Sequence, residues 1–287
     1  MAQDERTLNM DLPDAVATAA REGNAEAVRE WLAAGGAPDA IRPNGRLPLL
    51  NHACMSSRPS CASIVEILCA AGARADGDNG DEESFLSFAA FHGAVDTVRV
   101  LLRHGASVSV TNQFGFTPLH HAVSTNDWRR YSDPWSRVNA QGAASMGHQG
   151  IVRLLLRHGA AVDARTTKLS MTPLILAAKY SGFISLGVVR ELLASGADLD
   201  AVTAGGRNAE AIARRQLRKE LYTGEGIPEN TRRCRRPGAV EACLALLADV
   251  RAAGSWKRYA NEPRVQLVVL RKLAESGRAV ATRGVAT

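Results

Sequence analysis

FGFTPLHHA, residues Phe114 to Ala122, reads as a tight turn running into a helix. The Thr117 hydroxyl can accept a hydrogen bond from an orphan N–H of the first turn, and Pro118 falls where a missing donor costs nothing. Gly115 belongs to the turn. Leu119 and Ala122 then lie three apart, the spacing that places both on one helical face. Upstream, VRVLLRHGASV (Val98 to Val108) puts Val98, Leu101 and Leu102 on an apolar helical face, and Gly105 follows the last turn as a helix stop.

Degraded copies of both stretches recur along the chain. A TPLHxA start, a short helix, a second helix ending in LLxxGA and a hairpin together resemble the ankyrin repeat. That resemblance implies an all-α solenoid of stacked helix-turn-helix pairs joined by β-hairpin loops, and a binding function. Aligning on the glycine that closes each second helix gives Gly35, Gly72, Gly105, Gly159 and Gly196, with spacings of 37, 33, 54 and 37. One spacing is the 33 of an ankyrin repeat. The longest exceeds it by 21 residues, an excess that falls between His121 and His148.

Six copies are expected. The first (12–40) keeps AAREGN, Ala19 to Asn24, with Asp14 as N-cap before Ala15, and reads as an N-terminal cap. The second (41–76) has LPLLNHA and IVEILCAAGA, and the third (77–110) has Ser84 in the Thr position and Phe85 in place of Pro. The fourth (111–164) carries an insertion at 124–145, and the fifth (165–201) runs from MTPLILAAKYSG to VVRELLASGADLDA. The sixth (202–253) is degenerate, with an insertion at 216–237 looping out. Units stacked in this number suffice for one continuous core, since about three are needed. Residues 1–11 are expected to be a flexible start, 254–279 a C-terminal capping helix that includes PRVQLVVLRKLAESGRA, and 280–287 a tail.

Among 287 residues, 46% are hydrophobic, which excludes a chain too polar to fold. The opening MAQDERTLNMDLPD is polar and acidic, and no apolar run approaches about 18 residues, so neither secretion nor membrane spanning is expected, and the cytoplasm or nucleus is. Cysteines number five, without C-x-x-C pairing, and read as reduced packing thiols. The net charge of +6 is uneven: residues 1–150 hold 12 Lys and Arg against 17 Asp and Glu, and residues 151–287 hold 23 against 12. Such asymmetry can steer an acidic partner or nucleic acid.

No enzyme, metal or cofactor is expected. G-x-S-x-G, the P-loop, H-E-x-x-H and G-x-G-x-x-G patterns are absent. His120 and His121 are adjacent on a helix and diverge by about 100°, so they cannot readily share a ligand. The resemblance makes His120 structural, bridging loop and helix, and places His104, His148 and His158 at repeat positions where a helix C-terminus favours an imidazole. RRCRR, with Arg232, Arg233, Arg235 and Arg236, is either a solvated loop or a basic patch for nuclear import or phosphate. The insertion after Ser124 concentrates Trp128, Tyr131 and Trp135 in a chain of 14 aromatics, either as partner anchors or as a cover for its own repeat.

In ankyrin domains the variable surface comprises hairpin tips and exposed first-helix positions. Carried over copy by copy, these are Ile41, Asn44 and Arg46; Phe91 and His92; Gln113, Phe114 and Phe116; and Lys168, Met171, Lys179 and Tyr180. Four aromatics thus fall on the expected concave face. The expected function is a noncatalytic protein-interaction scaffold or adaptor, monomeric, binding a protein or peptide there. The alternatives are a substrate adaptor of a ubiquitin ligase, because PRVQLVVLRK faintly resembles the start of a SOCS box, and a nucleic-acid-associated protein using the basic half.

Overall fold

The computed structural model describes residues 9–42, 47–55, 58–77, 83–124, 144–180, 186–222 and 238–261. Among these residues six helices open the pairs: α1 Asp14–Glu22, α3 Leu49–Cys54, α5 Phe85–Phe91, α7 Pro118–Val123, α9 Pro173–Lys179 and α11 Ala209–Tyr222. Their partners are α2 Ala25–Ala33, α4 Pro59–Ala70, α6 Val95–Arg103, α8 Ala144–Arg157, α10 Leu186–Ala194 and α12 Ala239–Ala252, and α13 Trp256–Asn261 follows. Hydroxyl caps start three first helices: Thr117 accepts from His120 N, Thr172 from Ile175 N and Ser84 from Ser87 N. After α6, Gly105 sits at φ +84° with open space around its missing Cβ, so the left-handed backbone alone asks for glycine.

Each first helix packs on the next along the series α1, α3, α5, α7, α9, α11, and the second helices stack likewise from α2 to α12. Neither layer hides its apolar face alone. Leu49, Leu86, Leu119 and Leu174, at matching first-helix positions, and Ile64, Leu101, Leu155 and Leu192 in the second layer are all buried in one continuous cluster. Helical content dominates, as an ankyrin solenoid requires.

A second tie recurs between loops. Four residues after the closing glycine, Asp39, Asp76 and Asp163 each reach the next repeat and accept a backbone N–H: Arg74 N at 3.1 Å, Ser107 N at 2.9 Å and Asp198 N at 3.1 Å. In the third copy this position is Ser109, which bonds Ser107 of its own loop. At the C-terminal end, Asp200 instead meets the guanidinium of Arg251 at 2.7 Å, which also contacts Glu210 at 3.2 Å. Thus α12 closes the stack with an ion pair where earlier repeats use an amide.

Four details differ from the sequence reading. The flexible start ends sooner, because Asn9–Asp11 form strand β1, parallel to β2 (Gly36–Ile41), and buried Leu12 donates its N–H to Ile41 O at 3.0 Å. Pro13, not Asp14, is the N-cap of α1, and Asp14 lies in the first turn, where the dipole favours it. The loop expected from 216 begins later, since α11 continues through Gln216 to Tyr222 on a run of good helix formers. Gln216 holds that turn down by donating to Lys179 O. His148 is not at a helix C-terminus of its own; it projects from α8 and bonds the carbonyl of Phe91, at the end of α5, at 3.2 Å. The capping segment at 263–279 and most of the 124–145 insertion lie outside the described residues.

Candidate functional site

Asn112 builds the loop that presents the two tip phenylalanines. Its side-chain oxygen accepts from the N–H groups of Phe114 and Phe116, both at 3.0 Å, while its backbone N–H donates to Phe116 O at 3.1 Å. This is an Asx turn closed on both sides. At its apex Gly115 has φ +73°, and an added Cβ would stand 2.9 Å from the backbone nitrogen of Thr167. That close approach lets Thr167 N donate to Phe114 O at 3.0 Å, coupling the fourth tip to the fifth.

The fifth tip is fastened in the same way. Thr166 N donates to Met171 O at 3.1 Å, and Thr166 Oγ1 accepts from Met171 N at 3.0 Å. Beneath both tips, His120 joins Thr117 at 2.8 Å to Met171 O at 3.1 Å. Burial pushes the His120 pKa down to about 4, so the ring is neutral.

These loops and the ends of α5, α7 and α9 enclose a pocket of about 230 Å³. Phe91 enters from α5, Phe114 and Phe116 from the fourth tip, and Tyr180 from the end of α9. The ring of His121 lies against two of them, 6.4 Å edge-on from Phe91 and 5.6 Å from Phe116, and its Nε2 is 3.9 Å from the Glu83 carboxylate. Two ammonium groups stand on the aromatic wall: Lys168 is 5.4 Å from the centroid of Phe114, and Lys179 is 4.8 Å from that of Tyr180. Lys179 also donates to the Tyr180 hydroxyl at 3.1 Å.

Seven of the residues selected from sequence therefore line one pocket: Phe91, Phe114, Phe116, Lys168, Met171, Lys179 and Tyr180. Met171 departs from its expected exposure, at 7% accessible, because its backbone is bonded into the tip and its side chain packs inward. His92 touches Phe91 and Phe88 but does not line the pocket, and Gln113 points to solvent beside it. Ile41, 40% exposed, belongs to the first hairpin and lies apart from it. Asn44, Arg46, Trp128, Trp135, Arg232, Arg233, Arg235 and Arg236 lie outside the described residues. Sequence reasoning missed His121, Ser124, Thr166, Leu169 and Leu176 in the lining. Leu169 left a signal, an apolar residue in a polar hairpin tip, and it is 55% exposed.

Elsewhere, Asn51 and His52 on α3 are buried with side-chain atoms that have no hydrogen-bond partner, and burial beside Arg42 and Arg21 pushes the His52 pKa to about 4. Cys54, Cys61, Cys69 and Cys243 are free and buried. Among the described residues no group of three or more His, Cys, Asp or Glu side chains converges as a metal site would, and no helix is long and apolar enough to cross a membrane.

Comparison with known proteins agrees with this architecture. A family model described as ankyrin repeats (3 copies) matches residues 62–129 and 140–203. The chain is 28% identical over 58% of its length to Neurogenic locus notch homolog protein 1 of Xenopus tropicalis, covering 6% of that protein. It is 33% identical over 40% of its length to the ankyrin repeat and KH domain-containing protein mask-1 of Caenorhabditis elegans, covering 5% of it. It is also 33% identical over 45% of its length to palmitoyltransferase AKR1 of Lachancea kluyveri, covering 19% of it. The matches thus take in less than a fifth of each relative's own length. Since the matched segments contain the capped helix pairs and the glycine stops that stack them, the chain carries ankyrin repeats, units that bind other proteins.

Proposed function

We propose that this chain is a noncatalytic interaction scaffold or adaptor that holds a protein or peptide in the groove formed by hairpin tips and first helices of the third to fifth repeats. The observation that carries this reading is the pocket itself. Phe91, Phe114, Phe116 and Tyr180 come from three successive repeats, yet they line one opening. Rigid aromatics gathered in a partly desolvated cleft are the usual anchors of an interface. The surrounding chemistry favours binding: among the described lining residues the one imidazole, His121, packs against rings, and the Ser124 hydroxyl donates to the His121 carbonyl.

The test begins with affinity capture and mass spectrometry to obtain a partner. Phe114→Ala and Tyr180→Ala are then expected to weaken its binding at least about tenfold, or about 1.4 kcal/mol, with little change in melting temperature. Parent-like binding by both variants would sink the reading.

A further inference from the structure

We infer that the pocket takes a peptide segment bearing one bulky apolar side chain next to an aspartate or glutamate; this rests on the interaction reading above and specifies its partner. Volume is the first argument. About 230 Å³ is below the roughly 300–1,000 Å³ of pockets that enclose whole small molecules, and suits a single side chain delivered by a larger ligand. The second argument is the wall. Phe116, Leu169, Met171 and Leu176 offer carbon to such a side chain, and Leu169 remains half in solvent until something covers it.

Charge supplies the third. Among the described residues two lysines line the pocket and no carboxylate does. Glu83, the nearby acid, is only 14% exposed and faces His121. Among the described residues neither Lys168 nor Lys179 is in an ion pair, and each ammonium instead rests against an aromatic ring of the lining. That contact restrains a long side chain at the rim before any partner arrives, so a carboxylate placed beside the apolar anchor meets a partly ordered cation and loses less entropy in pairing. A nucleic acid would also favour cations, but its backbone needs a row of them, and among the described residues this opening has two at its edge around an apolar interior.

The experiment selects a displayed random-peptide library on the full chain and measures the enriched peptides by fluorescence anisotropy. Enriched sequences should carry Phe, Trp, Leu or Met within two positions of Asp or Glu. Lys168→Met and Lys179→Met should each weaken them about three- to fivefold, the scale of an exposed ion pair, and the difference should fade by about 0.5 M salt. Replacing the peptide's acid by its amide should cost the parent the same factor and cost the lysine variants little. Peptides that lack an acid yet lose binding to Phe114→Ala would overturn the acidic inference and leave the scaffold reading standing. If no peptide is enriched, or if bound peptides ignore both Phe114→Ala and Tyr180→Ala, the inference and the groove reading fall together. Displacement of bound peptide by a single-stranded oligonucleotide at moderate salt would overturn the choice of peptide as occupant.

Discussion

The Nε2–H of His120 donates to the backbone carbonyl of Met171 at 3.1 Å, across 51 residues of chain. A carbonyl can only accept, so Nε2 carries the proton and Nδ1 accepts from the N–H and hydroxyl of Thr117 at 3.1 and 2.8 Å. One neutral ring therefore fixes the start of α7 and the fifth tip together. His120→Leu keeps the bulk but strands these buried partners, and a loss of about 1–3 kcal/mol is expected in urea denaturation. Faster amide exchange at Met171 should accompany it.

Acid should loosen the stack. Burial pushes His52, His120 and His148 each from 6.5 to about 4. The unfolded chain therefore binds protons first as pH falls through 6.5, and stability that is complete above this value is lost progressively down to about 4, at up to about 1.4 kcal/mol per histidine for each pH step. Denaturant melts at about pH 7 and about pH 5 check the slope. His52→Leu should flatten it, and should be neutral or stabilising at pH 7, because both His52 nitrogens are buried without partners.

The aspartate ties between loops make a paired prediction. Asp76→Ala should cost about 1 kcal/mol by removing the acceptor of Ser107 N. Ser109→Asp restores the residue type that the other copies use and should raise the melting temperature. An unchanged midpoint for both would mean that the ties add nothing to stacking.

Gly115→Ala meets two obstacles, a φ of +73° and the nitrogen of Thr167 at 2.9 Å from the new Cβ. A loss above about 1 kcal/mol is expected. Because the same turn carries Phe114, peptide binding should fall with it, unlike the effect of an equally destabilising change in the first repeat.

Leu101 and Leu155 are fully buried between second-layer helices. Leu101→Ala and Leu155→Ala should each cost about 2–5 kcal/mol in denaturant melts. A loss below about 0.5 kcal/mol at both sites would contradict the packing described.

Helix starts, helix stops and repeat register were legible in the sequence because their causes are local: a hydroxyl bonding an amide three residues on, or a left-handed φ that glycine adopts freely. That register also placed Phe91, Phe114, Phe116, Lys168, Met171, Lys179 and Tyr180 among twelve expected surface positions, since equivalent positions in a stack are neighbours. Exposure was another matter. The tertiary structure turned Met171 inward, left Leu169 outside, kept Ile41, His92 and Gln113 out of the lining, and brought His121 into it. It also paired Asn9–Asp11 with the first hairpin and carried α11 to Tyr222. Contacts of this kind depend on atoms far away in sequence, such as the Phe91 carbonyl for His148 or the Lys179 carbonyl for Gln216, and a one-dimensional pattern carries no distance between residues tens of positions apart.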